Sequence, residues 1–305
     1  MIIRSLSLVD WMKLARQKAA GLQEYVGGPE AWNCNMALRK AVVGQLLPLG
    51  GSWHHWIAIE DRRLVGLIIA RNRNSSQVWQ ISHLLVSHEA GDDLTRELFN
   101  QITADAYRHG IERLFLRLPL DSPIQQIAVE QGFQPYIAER LYQWSPFKDN
   151  LIVEHQNITG TWRSRTKQDN WSVFQLYSAV APAIVRQAEG LAYAEWLQSR
   201  ERKNGIQDKV WEKDGIIQGW ARAKSCGDGV MFEFLSNPGD VSAIMPFIQS
   251  VVRGKQSVFV LTYSYQAHIQ SLLESEGFIP ITDNSLFLKR LLVRVTQTRL
   301  APMRA

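Results

Sequence analysis

The sequence is poor in cysteine. Its 305 residues include two cysteines, Cys34 and Cys226, which are too few for a disulfide framework. Apolar runs are short, and none approaches the roughly 18 residues that a membrane-spanning helix needs. The N-terminal residues also lack the basic region, apolar core and small cleavage residues of a secretion signal. These absences predict a cytoplasmic protein that does not enter a membrane.

Several motifs with a well-defined chemistry are missing as well. The sequence has no Walker phosphate loop, no dinucleotide-binding Gly-x-Gly-x-x-Gly and no motif of a Ser-His-Asp triad. His54 and His55 are adjacent, but neighbouring residues of a strand point to opposite faces. No cysteine or carboxylate follows them at ligand spacing. The sequence therefore predicts no metal site.

Acidic residues are missing from the C-terminal segment. From Lys289 to Ala305 the chain carries basic side chains and no Asp or Glu, and these contribute much of the formal net charge of +5. One interpretation is a surface that attracts nucleic acid or another acidic partner. The other, which we favour, is a solvated last strand followed by a frayed tail. Hydrophobic residues at 46% and charged residues at 21% are typical of a globular protein.

One segment occurs twice. Residues 124–135 and 269–280 share an isoleucine, a glutamine, a glycine, a phenylalanine and a proline at equivalent positions, and their apolar patterns agree elsewhere. Each copy predicts a short amphipathic helix that ends at a glycine, where a positive φ costs little, followed by a strand. A repeat of this kind indicates two similar domains.

A second pair of segments occurs in the same order. Residues 60–71 and 213–224 each combine a polar tight turn with an apolar run through a glycine, Gly66 or Gly219. This pattern predicts a β-hairpin in each half, ahead of the repeated helix. We therefore predict a duplication. The predicted boundaries are a domain at 1–147, a linker at 148–170, a second domain at 171–298 and a basic tail at 299–305.

The remaining patterns predict a mixed α/β (α+β) architecture in both halves. In the first half we predict strands at 2–6, 78–86, 114–118 and 138–144 and helices at about 7–20, 31–47 and 94–109. Within the linker, residues 151–153 could form a strand. In the second half we predict strands at 172–177, 230–235, 257–262 and 286–295, with helices within 181–203 and at 241–252.

This order of elements, with the helix-Gly-Phe ending, resembles the GNAT family of acyltransferases, which transfer an acyl group from coenzyme A to an amine. The resemblance extends over nearly all of each half. The chain thus looks like a tandem GNAT protein, a layout shared with mycothiol synthases and peptidoglycan-bridge peptidyltransferases. It implies two central mixed sheets flanked by helices, an acyl-coenzyme A co-substrate such as acetyl-CoA, and an amine acceptor.

The resemblance also implies where the coenzyme would bind. In the family, a Gln/Arg-x-x-Gly-x-Gly/Ala loop after the fourth strand holds the pyrophosphate through backbone amides and a helix N-terminus. The equivalent residues here are Leu85, Val86, Ser87 and Gly91. The motif's cation is missing, and Asp92 and Asp93 follow, one of which we predict to cap the next helix. The second-half loop, 235–242, also lacks the cation and contains Pro238.

Many family members use a tyrosine four residues before the Gly-Phe pair as general acid for the departing thiolate. Ala128 and Leu273 occupy these positions, and neither can donate a proton. Three tyrosines lie nearby in sequence, namely Tyr136, Tyr263 and Tyr265. His83 and Glu233 fall at matching places on the fourth strand, beside the amine cleft of the family. They are the candidate catalytic residues, each as a general base for the amine.

Two functions from different classes remain open. The first is a divergent acyl-CoA:amine N-acyltransferase with an unidentified amine substrate. The second is a non-catalytic GNAT-fold protein that binds a protein or another partner, which the altered loops and missing tyrosines favour at least as strongly. A third, an aminoacyl-tRNA-dependent peptidyltransferase, is weaker because the sequence shows no helical-hairpin insertion.

Overall fold

The computed structural model describes residues 1–5, 22–26, 53–61, 63–73, 77–144, 160–190, 192–199, 206–226, 229–252 and 257–292. Several predictions fall outside these ranges: the two N-terminal helices, the strand at 151–153 and the basic tail at 299–305. No helix in the described ranges is long and apolar enough to cross a membrane.

The described elements are strands and helices, and several strands follow one another before the first helix of the series. In the first part they are β1 (Ile2–Ser5), β2 (Leu22–Glu24), β3 (Trp53–Glu60), β4 (Arg63–Asn72), β5 (Val78–Ser87), α1 (Gly91–Arg108), β6 (Arg113–Pro119), α2 (Gln125–Glu130) and β7 (Gln134–Trp144). In the second part they are β8 (Thr161–Ser164), α3 (Asn170–Val180), α4 (Ala183–Glu189), α5 (Tyr193–Ser199), β9 (Ile206–Lys213), β10 (Ile216–Cys226), β11 (Gly229–Ser236), α6 (Ile244–Val251), β12 (Val258–Tyr263), α7 (Ala267–Ser275) and β13 (Ile279–Arg290).

The chain divides into two compact units. The first unit comprises Met1–Arg117, Ser122–Gln134 and Phe287–Ala305, and the second comprises Leu118–Asp121 and Pro135–Leu286. Strands of the first unit lie in the order β1-β3-β4-β5-β6, with β2 also paired to β5. Strands of the second unit lie in the order β13-β7-β12-β11-β10-β9-β8. The strand that follows the first repeated helix, β7, thus belongs to the second unit.

Both predicted hairpins are confirmed. In the first unit β3 and β4 pair antiparallel, and Gly66 lets α1 approach the sheet, since a Cβ there would lie 3.0 Å from Leu98 Cδ1 and 3.1 Å from Leu94 Cδ2. In the second unit β9 and β10 pair around Asp214 (φ 52°) and Gly215 (φ 75°). Positive φ at both central residues is the geometry of a two-residue type I′ turn, whose twist matches the strands.

The repeated helix has the same ending in both copies. Gly132 (φ 83°) and Gly277 (φ 82°) end α2 and α7 in the left-handed region. The amide of the following phenylalanine donates to the carbonyl five residues earlier, at 3.0 Å for Phe133 and 2.9 Å for Phe278. This bond and the glycine amide bond beside it form a Schellman motif. Both phenylalanine side chains are buried, so the repeat encodes one helix end with one core anchor.

One predicted strand is wrong. Residues 172–177 lie within helix α3, which buries Val173, Leu176 and Tyr177 on one face. The aromatic and β-branched residues of this short window favour a strand locally, but spacing of three and four residues between buried positions is helical. The first described strand of this part is β8, which lies at the end of the predicted linker and pairs with β9.

Candidate functional site

The edge of β5 where the coenzyme is predicted to bind is paired with β2. Strand β5 runs parallel to β6 from Val78 to Gln80. Further along the same edge, β2 pairs antiparallel with Leu85, Val86 and Ser87, and the amide of Tyr25 donates to the carbonyl of Leu84 at 2.9 Å. Three of the predicted coenzyme contacts therefore lie against a strand of the chain itself.

His83 is held by the same strand. Its side chain is 3% exposed, and its Nδ1 lies 3.0 Å from Oε2 of Glu24. The other oxygen of Glu24 accepts hydrogen bonds from the amides of Leu84 (2.9 Å) and Val26 (3.0 Å). One carboxylate thus satisfies two backbone donors and a buried imidazole, which fixes both β2 and His83.

The loop after β5 turns into α1 at Gly91, the fourth predicted coenzyme contact, which has φ of 68°. The prediction that Asp92 or Asp93 caps this helix is wrong: the capping position is Ala90, and both aspartates lie in the first turn. Asp93 pairs with Arg96 at 3.4 Å. Carboxylates here interact favourably with the positive end of the helix, in the place where the resemblance implies a pyrophosphate.

In the second unit the equivalent strand edge is closed by a side chain. Strand β11 runs parallel to β12 from Val230 to Glu233. Beyond that point, Nε2 of Gln266 donates to the carbonyl of Phe234 at 2.7 Å, and its Oε1 accepts from the amide of Tyr263 at 3.0 Å. Gln266 is 1% exposed, so it acts as a buried bridge between the two strand ends.

The register of β4 with β5 and of β10 with β11 shows that His83 and Glu233 occupy equivalent places in the two sheets. Gly66 pairs with Val86 in the first unit, and Gly219 pairs with Ser236 in the second. Three residues before these partners, His83 lies opposite Ile69 and Glu233 lies opposite Arg222. The same position of the sheet therefore carries a buried imidazole in one unit and a partly buried carboxylate in the other.

Glu233 lines an aromatic pocket in the second unit. The pocket is small, with a volume of about 20 Å³; it opens to solvent and extends from the ends of β11 and β12 to α3 and α5. Its aromatic lining includes Tyr177, Trp196, Trp220, Tyr263 and Tyr265. Aromatic faces beside one carboxylate favour an organic cation, which the ring quadrupoles and the negative charge both attract.

Buried polar contacts position one wall of this pocket. The indole Nε1 of Trp220 donates to Oδ1 of Asp208 at 2.6 Å, and Asp208 in turn accepts from Nε and Nη2 of Arg165 at 3.0 and 2.7 Å. The guanidinium of Arg222 lies 5.2 Å from the centre of the Trp220 ring. Arg222 also faces Glu233 across the strand pair, so the pocket carboxylate has a cationic neighbour.

Ala128 and Leu273, which stand where many family members have a tyrosine, are both fully buried. The three nearby tyrosines have different positions. Tyr136 donates its hydroxyl to Glu189 at 2.9 Å. Tyr263 and Tyr265 line the pocket and stack on each other with centroids 5.8 Å apart. Phenols are thus present at the pocket, carried by the end of β12 rather than by α7.

A second cluster of titratable side chains lies in the first unit. His54 on β3 meets Asp105 of α1 and His109, the residue that caps the end of α1, and one ligand atom from each residue lies within 4.8 Å of the others. Burial, with a further contribution from His109, lowers the pKa of His54 to about 4, so its imidazole is neutral at pH 7. Sequence reasoning considered His54 only with its neighbour His55. The signal that it missed was the Asp-x-x-x-His spacing on a helix, which puts both side chains on one face.

Comparison with known proteins shows similarity at the level of structure. No protein-family model matches the chain, and no curated protein matches it. A tandem GNAT protein from the clavulanic acid biosynthesis pathway superposes with a TM-score of 0.56 and 13% identity, covering 95% of this chain and 98% of the other. The chain has a tandem GNAT-like fold. The resemblance inferred from the repeated helix is confirmed.

Two further solved structures have the same fold. A GCN5-related N-acetyltransferase from Sphaerobacter thermophilus has a TM-score of 0.55 and 11% identity, covering 89% of this chain and 96% of the other. A conserved protein of unknown function from Staphylococcus epidermidis has a TM-score of 0.55 and 12% identity, covering 82% and 98%. At these identities the likeness describes the GNAT-like, acyltransferase-like architecture. The roles of His83, Glu233 and the loop residues stay predictions.

Proposed function

We propose that the protein is a divergent acyl-CoA:amine N-acyltransferase that works through its second unit, with Glu233 as general base. The observation that carries the proposal is the aromatic pocket at the ends of β11 and β12, which Glu233, Tyr263 and Tyr265 line. The pocket suits a protonated amine, and Glu233 occupies the sheet position that the family resemblance assigns to a base. His83, at the equivalent position, has a structural role in this proposal because Glu24 holds it.

The proposed residues account for each proton of the reaction. Glu233 accepts a proton from the bound ammonium group, which frees the nitrogen lone pair. The nitrogen then attacks the thioester carbonyl carbon, a C–N bond forms, and the C–S bond breaks. Tyr263 or Tyr265 donates its hydroxyl proton to the departing coenzyme A sulfur, in place of the tyrosine that α7 lacks. The same tyrosine is reprotonated by the second proton that the nitrogen loses as the amide forms. Arg222 lies opposite Glu233 in the strand pair.

The acyl donor fits the second unit better than the first. In the first unit β2 pairs with Leu85, Val86 and Ser87, so the strand edge is already hydrogen-bonded. In the second unit the bridge is one side chain, Gln266, so binding at this edge would displace two side-chain hydrogen bonds rather than a paired strand. Leu235 at the end of β11 lines the pocket, so an acyl group beside this strand end would meet the amine there.

A second candidate is a non-catalytic protein that retains the GNAT fold as a binding scaffold. The paired β2 edge in the first unit and the aspartates at the start of α1 favour it, as do the aliphatic side chains of Ala128 and Leu273. In this candidate the pocket of the second unit binds an organic cation or a cationic side chain of a partner without converting it.

Calorimetric titration of the full-length chain separates the two candidates. Acetyl-CoA is titrated first, and a panel of primary amines and a quaternary ammonium ion follow, with thiol release measured for each amine. Acetyl-CoA binding together with thiol release supports the transferase. Binding of cations without acetyl-CoA binding supports the scaffold. If neither ligand binds at submillimolar concentration, both candidates are wrong.

A further inference from the structure

The first unit contains a side-chain cluster that the proposed acyl transfer does not use. His54 lies on β3, Asp105 lies in the last turn of α1, and His109 is the residue at which that helix ends. Asp105 and His109 are four residues apart and therefore share one face of the helix. Because α1 packs against β3, two imidazoles and one carboxylate converge between these two elements.

The distances within this cluster match those around a bound metal ion. Nδ1 of His54 lies 3.4 Å from Oδ2 of Asp105, and Nδ1 of His109 lies 3.4 Å from Oδ1 of the same carboxylate. In a tetrahedral zinc site with bonds of about 2.0–2.1 Å, neighbouring ligand atoms are about 3.4 Å apart. All three residues offer a ligand atom within 4.8 Å of the others, so small side-chain rotations bring them onto one ion.

Neighbouring aromatic side chains and a backbone oxygen contact the three residues of the cluster and help to orient them. The ring of Trp79 stacks on His54, with centroids 3.7 Å apart. The indole Nε1 of Trp56 lies 3.4 Å from Oδ2 of Asp105 and donates to it. Nδ1 of His109 lies 2.9 Å from the backbone oxygen of Asp105. The same nitrogen lies 3.4 Å from Oδ1 of Asp105, so a metal bound at Nδ1 would replace its contact with the backbone oxygen.

The positive charge of Arg108, near the cluster, disfavours the binding of a cation. Nη2 of Arg108 lies 3.9 Å from Oδ1 of Asp105, but the Arg108 side chain is 61% exposed. An exposed pair at this distance contributes little and is screened by salt. The carboxylate itself is 13% exposed, whereas His109 is 50% exposed. The cluster is thus enclosed on its protein side and accessible from solvent beside His109.

We propose that His54, Asp105 and His109 form a binding site for a divalent transition metal of the zinc class, with the fourth position open to solvent. Two imidazoles and one carboxylate suit Zn²⁺ and its analogue Co²⁺. Mg²⁺ and Ca²⁺ prefer oxygen ligands and are not expected to bind here. The site lies in the first unit, so it does not depend on acyl transfer in the second.

Metal titration of the chelator-treated, full-length chain tests the proposal. Zn²⁺ is titrated calorimetrically, and Co²⁺ serves as a spectroscopic probe because four-coordinate Co²⁺ absorbs visible light strongly. We expect one ion per chain. His109→Gln and Asp105→Asn should each weaken Zn²⁺ binding by at least about 100-fold, since losing a ligand costs more than the 10–100-fold lost with an outer-shell partner. His109 is at the surface, so its variant keeps the test usable if Asp105→Asn unfolds.

His88→Gln is the matched control. His88 is an exposed histidine in the loop before α1, and its loss should leave the affinity unchanged. Three results would overturn the proposal: no Zn²⁺ binding at submillimolar concentration, unchanged affinity in either ligand variant, or binding that His88→Gln removes. The first of these identifies the cluster as a hydrogen-bonded link between β3 and α1.

Discussion

The strand pairs β4–β5 and β10–β11 have the same register in the two units. The edge of β5 and the equivalent edge of β11, however, are closed by different groups. In the first unit a short strand, β2, pairs with the end of β5, and Glu24 satisfies two further backbone amides. In the second unit a single amide side chain, Gln266, bridges β11 and β12. One edge is thus closed by backbone pairing and the other by a side chain.

This difference teaches that fold similarity and site similarity are separate properties. His83 and Glu233 occupy the same register position, yet one is buried against Glu24 and the other lines an aromatic pocket. Their surroundings come from elements outside the repeated segments: β2 in one unit, α3 and α5 in the other. The amine and acyl-donor sites are accordingly expected in the second unit, and His83 in the first unit is expected to have a structural role.

The largest expected effect concerns the pocket carboxylate. If the second unit transfers acyl groups, Glu233→Gln should lower kcat for thiol release by about 10²–10⁴-fold, the usual contribution of a general base. The amide keeps the size of the side chain but cannot accept the ammonium proton. The measurement is steady-state thiol release with the best amine from the panel.

Two further variants decide whether this loss is specific. Glu276→Gln removes a carboxylate at the end of α7 and should leave the rate unchanged. His83→Gln should lower stability but retain turnover per folded molecule. An equal loss of rate in His83→Gln and Glu233→Gln would break the comparison, because both units would then participate in the reaction.

The next largest effect concerns the buried phenylalanine at the end of the repeated helix, which both units contain. Phe133→Ala and Phe278→Ala each remove a buried ring behind a Schellman motif, and each should lower the free energy of unfolding of its unit by about 3–5 kcal/mol. Urea denaturation followed by tryptophan fluorescence and circular dichroism measures both. Val129→Ala, at a side chain that is 47% exposed, should change stability by less than about 0.5 kcal/mol. A strongly unequal effect would show that the two copies no longer have the same structural role.

A third effect should separate the units by pH. Asp169 in the second unit accepts from Nη1 and Nη2 of Arg163 at 2.7 Å each, and from the amide of Thr166 at 2.6 Å. The hydrogen bonds from Arg163 hold the pKa of Asp169 well below its ordinary value. Its contribution to stability is therefore present above a pH of about 4, the pKa in the unfolded chain, and is lost as the pH falls towards the folded value.

Asp169→Asn should consequently cost about 2 kcal/mol at pH 7, and the difference from the parent should shrink below a pH of about 4. Asp214→Asn is the matched control, because Asp214 is exposed and asparagine tolerates its positive φ. Thermal unfolding from pH 7 to pH 3 measures both. A difference that stays constant over this range contradicts the assignment of Asp169 as an ionised acceptor.

Sequence patterns predicted most of the described elements, apart from the helix at 172–177, but not the neighbours of the site residues. Gly66, Gly219 and the helix-Gly-Phe segments follow local rules, because a turn or a helix end depends on a few adjacent residues. Periodicity also found α1 and β11. The pairing of β2 with β5 could not be predicted, because three residues carry no register signal and their partners lie about sixty positions away in sequence. The contact between Asp105 and His54 could not be predicted either, because the two residues lie far apart in sequence.

The smallest expected effect concerns Glu24, which helps to hold β2 against the edge of β5 in the first unit. Glu24→Ala leaves the amides of Leu84 and Val26 without their side-chain acceptor, which should lower stability by about 1 kcal/mol or somewhat more. Hydrogen exchange should accelerate at the amides of Tyr25 and Val26, while exchange at α1 stays slow. Glu24→Gln keeps an oxygen acceptor and should restore most of the protection.

Gln266→Ala is the counterpart in the second unit. It removes partners from the carbonyl of Phe234 and the amide of Tyr263 but leaves the strands paired up to Glu233. Faster exchange should therefore be confined to the strand ends. If Glu24→Ala leaves exchange at Tyr25 and Val26 unaltered, the carboxylate does not hold β2 in place. The backbone pairing with Leu85, Val86 and Ser87 then closes this edge by itself, which makes coenzyme binding in the first unit still less favourable.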